Sequence, residues 1–168
     1  PMLSMISDIY TLGEGAGRFA GDPRYIAQKT EDYAANLGVA DLCLLGPEFE
    51  FYILDHVSYR NDVNHIEVNL DSRQASWNAG NNEYPNPGYY VRPHGGYHVD
   101  LPYDSSFDLR NEMVTMLQER GVPVTYHHAE NGGPGQVEIE VVLGTLKTMA
   151  DRTMIIKYFV KNLALQRG

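Results

Sequence analysis

The chain has 168 residues, of which 43% are hydrophobic and 21% charged, enough for about one domain with a real core and unlike a disordered segment. Its net charge of −9 argues against the basic footprint of a nucleic-acid binder and the polybasic patch of an anionic-membrane binder. A single cysteine, Cys43, excludes an internal disulfide framework, and its apolar neighbours predict a buried, inert thiol.

Residues 3–10 read as a short strand, with Leu3, Met5, Ile6 and Ile9 among polar residues. Residues 13–21 form a loop with four glycines. The first helix is bounded by Asp22 as N-cap, Pro23 at the first helical position and Gly38 past its end. A central strand is predicted from about Cys43 to Asp55, aromatic and branched apart from Glu48 and Glu50. Alternation puts Glu48, Glu50, Tyr52 and Leu54 on one face and Phe49, Phe51 and Ile53 on the other.

Residues 56–96 show the weakest periodicity and read as a functional loop region, with short hairpin strands near 65–69 and 89–92. Residues 99–102 look extended. A second helix is expected over about 106–120, followed by a strand over 122–128 and a glycine turn at 131–135. Residues 136–143 alternate strictly, with Gln136, Glu138 and Glu140 on one face and Val137, Ile139 and Val141 on the other. The last helix runs from about 145 to 166, and there is no internal repeat. No run approaches the roughly 18 apolar residues that span a bilayer. No signal-peptide pattern is visible, so the cytoplasm is expected.

The acids carry the candidate chemistry. Glu48 and Glu50 repel unless something positive lies between them, so they suit a hard divalent cation such as magnesium or manganese. An amphipathic strand with a wet acidic face is the other reading. Glu130 precedes the glycine turn and Glu138 follows it, so the turn can fold both towards Glu50, with Glu48 beginning a second site. His127 and His128 are candidate ligands or ordinary strand residues, and alternation allows only one of them on the acidic face. Phosphate-loop, nucleophile-elbow and paired-cysteine zinc signatures are missing.

These residues resemble the glutamine synthetase family. Gly46-Pro47-Glu48-Phe49-Glu50-Phe51 is similar to its Gly-Pro-Glu-x-Glu-Phe strand. His127-His128-Ala129-Glu130 and Gly135-Gln136-Val137-Glu138 are similar to its His-His-x-Glu and Gly-Gln-x-Glu segment. Gly95-Gly96-Tyr97, Asp104, Asp108-Leu109-Arg110 and Ala150-Asp151 follow in the family's order, so the likeness covers nearly the whole chain. It implies an α+β fold in which antiparallel strands of a partial catalytic barrel carry the acids and helices flank them.

The resemblance also implies a reaction. One Mg2+ or Mn2+ would be held by Glu50, Glu130 and Glu138, and Glu48 would contribute to a second. ATP, with Thr125 near it, would phosphorylate the side-chain carboxylate of glutamate, and ammonia would displace phosphate. The intact enzymes are homo-oligomers of stacked rings. Departures accompany the likeness. Thr125 stands where many members carry glutamate, and Ala129 where a second histidine usually precedes the glutamate. The family's later metal-binding histidine and glutamate, its phosphate- and glutamate-binding arginines and its Lys-Pro nucleotide signature are not in these 168 residues. The chain therefore reads as an incomplete, N-terminal portion of one catalytic domain with no separate second domain. It has no catalytic residue of its own and is expected to be inactive alone. A related ligase joining glutamate to another amine, or a non-catalytic metal-binding or assembly module, would show the same motifs.

Overall fold

The structure is a computed structural model that describes residues 3–78 and 85–168. In chain order the elements are β1 (Tyr10–Thr11), β2 (Gly17–Arg18), α1 (Pro23–Asn36), β3 (Leu44–Leu45), β4 (Glu48–Tyr52), β5 (His56–Asp62) and β6 (His65–Asp71). A short 3-10 turn (Ser76–Asn78) follows, then α2 (Phe107–Gln118), β7 (Val124–Ala129), β8 (Gln136–Val141), β9 (Gly144–Thr145) and α3 (Leu146–Gln166). The fold is α+β with antiparallel pairing in every described sheet. The chain divides into two compact units, residues 1–47 with 142–160, and residues 48–141 with 161–168.

In the first unit α1 begins and ends where the sequence expects. Asp22 accepts from the Arg24 amide at 3.0 Å, Pro23 opens the helix, and Gly38 takes φ +66° after it. An ionic network surrounds this start: Arg24 bonds Asp151 at 2.8 Å and also Asp8, while Arg18 bonds Asp8 at 2.8 Å and Asp22 at 3.2 Å. The predicted strand over 3–10 shrinks to Tyr10–Thr11. The Ile9 amide goes to the Asp22 carboxylate rather than to a neighbouring strand, and Leu3, Met5 and Ile6 lie exposed. Cys43 is half-buried rather than buried.

The expected long central strand is two strands. Gly46 and Pro47 separate β3, which pairs with β9, from β4, which pairs with β8. Proline has no N–H for the ladder, so pairing restarts after it.

The second unit holds a three-stranded sheet in the order β4-β8-β7. Its apolar side is closed by burial of Val137, Ile139 and Val141 from β8 together with Met113 and Leu117 of α2. Burying such side chains contributes about 1.5–3 kcal/mol each. Beyond the sheet, β5 and β6 make a hairpin of seven paired residues on each strand, longer than the 65–69 segment expected. Residues 89–92 are not a strand, although the Val91 amide bonds the Gln74 carbonyl at 2.7 Å. Residues 99–102 turn rather than extend, with the Val99 amide on the Gly96 carbonyl at 3.1 Å and the Tyr103 amide on that of Asp100 at 3.0 Å. Residues 79–84 of the irregular region lie outside the described residues.

Candidate metal centre

Register across the sheet sets three polar rows on one face. Glu48 stands opposite Glu140, which stands opposite Tyr126. Glu50 stands opposite Glu138, which stands opposite His128. Tyr52 stands opposite Gln136. Because strand side chains alternate, the residues between these rows, Phe49, Phe51, Val137 and Ile139, turn to the apolar side.

Glu138 is the centre of this face. It is only 6% exposed, yet its carboxylate groups within 4.8 Å with donor atoms of His128 and Glu130 in one set, and of Glu48 and Glu140 in another. His128 Nε2 lies 3.5 Å from Glu138 Oε2, and its Nδ1 lies 3.6 Å from Glu130 Oε2. Burial pushes the Glu138 carboxyl above the ordinary range, and Glu48 and Glu130 push the same way against the pull of His128. The Tyr126 hydroxyl donates to Glu140, and that bond is the main reason its proton is held up to about 12.

The two histidines divide between the faces. His128 Nδ1 is 3.0 Å from the Ala129 carbonyl, which can only accept, so Nδ1 donates there and the ring's Nε2 is turned towards Glu138. His127 turns to the other side, against α2. It accepts from Arg110 Nε at 3.2 Å through Nδ1, and its Nε2 meets the Asn111 side-chain oxygen at 3.0 Å. Burial and the nearby Arg110 charge lower its proton affinity. Arg110 is itself buried and bonds Asp104 through both terminal nitrogens, one at 2.8 Å, and Ser106 Oγ at 2.6 Å.

Of the acids expected to act, Glu48, Glu130 and Glu138 fall into the two donor groups. Glu50 lies opposite Glu138 in register, but its carboxylate accepts from Gln136 Nε2 at 2.8 Å and joins neither group. Thr125 is exposed near a register shift of β7, and its hydroxyl donates to the Glu140 carbonyl at 3.0 Å. Three neighbours were not singled out from sequence. Glu140 and Tyr126 carried a signal, since both share the alternation phase of the site. His98 carried none: its ring stacks on His128 with centroids 4.1 Å apart.

The donor set fits a hard divalent cation. Two oxygen-rich groups share one buried carboxylate, and the imidazole that belongs to one of them, His128, turns its Nε2 towards it.

An α+β chain whose antiparallel sheet presents glutamates around a buried carboxylate defines the class: a domain with a candidate oxygen-ligand cation centre. Comparison with known proteins supplies the family. The family described as "Glutamine synthetase, catalytic domain" matches residues 20–168, and the chain belongs to it. The chain is 42% identical over 154 residues to the glutamine synthetase of Mycolicibacterium smegmatis, covering 89% of this chain and 32% of that protein. It is 37% identical over 169 residues to the 3-hydroxylaminophenol mutase of Cupriavidus pinatubonensis, covering 100% of this chain and 36% of that one. The Plasmodium falciparum glutamine synthetase structure matches with a TM-score of 0.74 and 26% identity, covering 90% of this chain and 31% of that chain. The chain spans about a third of the length of the curated relatives it matches.

Proposed function

We propose that this chain carries the carboxylate ligands of an ATP-dependent glutamate–ammonia ligase that makes glutamine through γ-glutamyl phosphate. The observation that carries this reading is Glu138, buried in a member of this family and shared by two donor groups. Glu130, Glu138 and Glu50 would hold one Mg2+ or Mn2+, with His128 beside them, and Glu48 would serve a second position with Glu138 and Glu140. When bound, such cations neutralise and orient phosphate oxygens.

The chain's own residues prepare that site. Ala129 holds the His128 Nδ1 proton and so keeps Nε2 turned to the acids. Tyr126 orients the Glu140 carboxylate by donating to it. Gln136 does the same for Glu50, donating at 2.8 Å. Thr125, beside Glu140, borders the ATP side. Both units belong to one incomplete catalytic domain, with glutamate, ammonia and ATP as its substrates and cytoplasmic homo-oligomers as its setting. Among the described residues no helix is long and apolar enough to cross a membrane.

The test is phosphate release by the longest gene product that carries this chain, supplied with glutamate, Mg·ATP and ammonia. Ammonia-dependent release that Glu138→Gln abolishes supports the ligase. Release only with polyamines or other amines assigns the related γ-glutamyl ligase. No ATP-dependent release with any amine leaves a non-catalytic module and contradicts the proposal.

A further inference from the structure

His98 is held in an unusual position beside the metal centre. Its backbone has φ +54°, in the left-handed region that few non-glycine residues adopt. Its amide donates to the Ala129 carbonyl at 3.1 Å, the same oxygen that receives His128 Nδ1 at 3.0 Å. Both lone pairs of one carbonyl therefore tie His98 to His128. The two rings are nearly parallel, with centroids 4.1 Å apart and planes 20° apart. Tyr97 meets His98 edge-on at 4.4 Å and His128 at 5.4 Å. The loop bearing them is seated closely, since a Cβ on Gly96 would meet the Glu130 carbonyl oxygen at 2.5 Å.

We infer that His98 is a positioning residue for the metal centre: its stacked ring fixes the plane of His128, so that Nε2 stays aimed at Glu138. This rests on the reading of the acidic face as a cation site. A single hydrogen bond at Nδ1 leaves the imidazole free to rock about the bond to its β-carbon. The His98 ring laid flat on it at 4.1 Å is the nearer of two stacked rings, with Tyr126 at 5.8 Å, and together they remove that freedom and leave His128 only 8% exposed. Groups that orient a ligand in this way set metal affinity although they do not touch the ion.

Two variants separate the ring from the backbone. His98→Asn keeps a residue tolerant of the left-handed region and removes the ring. His98→Phe restores a flat ring without nitrogen. His98→Gly replaces His98→Asn should the latter fail to fold. The readouts are Mn2+ affinity from the free-ion paramagnetic resonance signal and the His128 Nδ1–H resonance by NMR. His98→Asn is expected to weaken Mn2+ binding roughly tenfold and broaden that resonance, while His98→Phe stays within about twofold of the parent with a sharp resonance. Equal Mn2+ affinity and an unchanged resonance in His98→Asn overturn the inference, as does a His98→Phe variant no better than His98→Asn. If the parent chain takes no Mn2+, the metal reading fails by itself. The resonance then decides the positioning role: broadening on ring removal supports it, and no change overturns it.

Discussion

Glu138 stands directly opposite His128 across the β7–β8 ladder, with Nε2 3.5 Å from Oε2. The acid is buried and its proton affinity is raised by that burial and by Glu48 and Glu130. A group in this state opposes folding when no cation is bound, and supplies charge to one that is.

Glu138→Gln is therefore expected to stabilise the metal-free chain while weakening its metal binding. A carboxyl whose folded value lies above its ordinary 4.5 loses stability for the fold as pH rises from that value through the folded one. The variant should flatten this decline and raise the melting temperature near neutrality, by about 2–4 °C for each kcal/mol gained. Mn2+ affinity should fall roughly tenfold or more. Thermal melts across pH with and without Mn2+ check both, and a lower melting temperature without metal would contradict the account.

Arg110 and Asp104 should each depend on the other. Their side chains are 1% and 3% exposed. Arg110→Ala leaves a buried carboxylate unpaired and is expected to cost about 3–5 kcal/mol in urea unfolding. The double change Asp104→Leu, Arg110→Met should cost much less. Equal losses from the single and double variants would show that the pairing is not the reason.

The same pair contributes to the acid limit. Burial alone would raise the Asp104 carboxyl, but its bonds and charge attraction to Arg110, with help from Ser106, hold it below the ordinary 3.8. Its contribution is fully present above 3.8 and is lost as pH falls through the folded value. Circular dichroism in an acid titration should show unfolding below that point. The Asp104→Leu, Arg110→Met chain should show a shallower acid dependence.

How far these features can be read from sequence follows from how local they are. Glu48, Glu138 and the split between His127 and His128 follow from period-two alternation, which a half-buried strand prints directly into sequence. Asp22, Pro23 and Gly38 mark α1 through local capping chemistry. The β5–β6 hairpin is only partly foreseen: Ile66, Val68 and Leu70 alternate with polar residues in β6, which marks the strand near 65–69, but β5 carries only Val57 and Tyr59 in that phase, and its full length is set by pairing across the hairpin. His98 escapes because its place is set by a carbonyl at position 129, reached only through the folded sheet. Glu50 lies in the row that alternation predicts, yet its carboxylate is turned by Gln136, a cross-strand contact that no periodicity encodes.

Gly96→Ala should damage the site without touching an acid. The added Cβ would meet the Glu130 carbonyl oxygen at 2.5 Å and Val91 Cγ1 at 3.1 Å, so the loop or β7 must shift. A loss of about 1–3 kcal/mol is expected in denaturant unfolding, together with weaker Mn2+ binding. Unchanged values for both would mean that the loop adapts freely.

The 168-residue chain by itself is expected to make no glutamine. On the proposed ligase reading, phosphoryl transfer requires cationic groups on the phosphates and a positioned acceptor, and the candidate centre consists of acids with one imidazole. Ammonia-dependent phosphate release should stay at background while the Mycolicibacterium smegmatis relative serves as positive control. Turnover within about tenfold of the control, roughly 1.4 kcal/mol of barrier, would contradict the assignment of the chain as a ligand-bearing portion only.

The most direct measurement is paramagnetic line broadening by Mn2+, followed at histidine and tyrosine ring resonances of the intact chain. The account predicts that substoichiometric Mn2+ broadens His128, His98 and Tyr126 first, and that Glu138→Gln removes the effect. His56 and His65, on the exposed hairpin, should stay sharp at the same concentrations. Broadening that reaches the hairpin histidines equally, or that survives Glu138→Gln, would show that the acidic face of the β4-β8-β7 sheet is not a cation site.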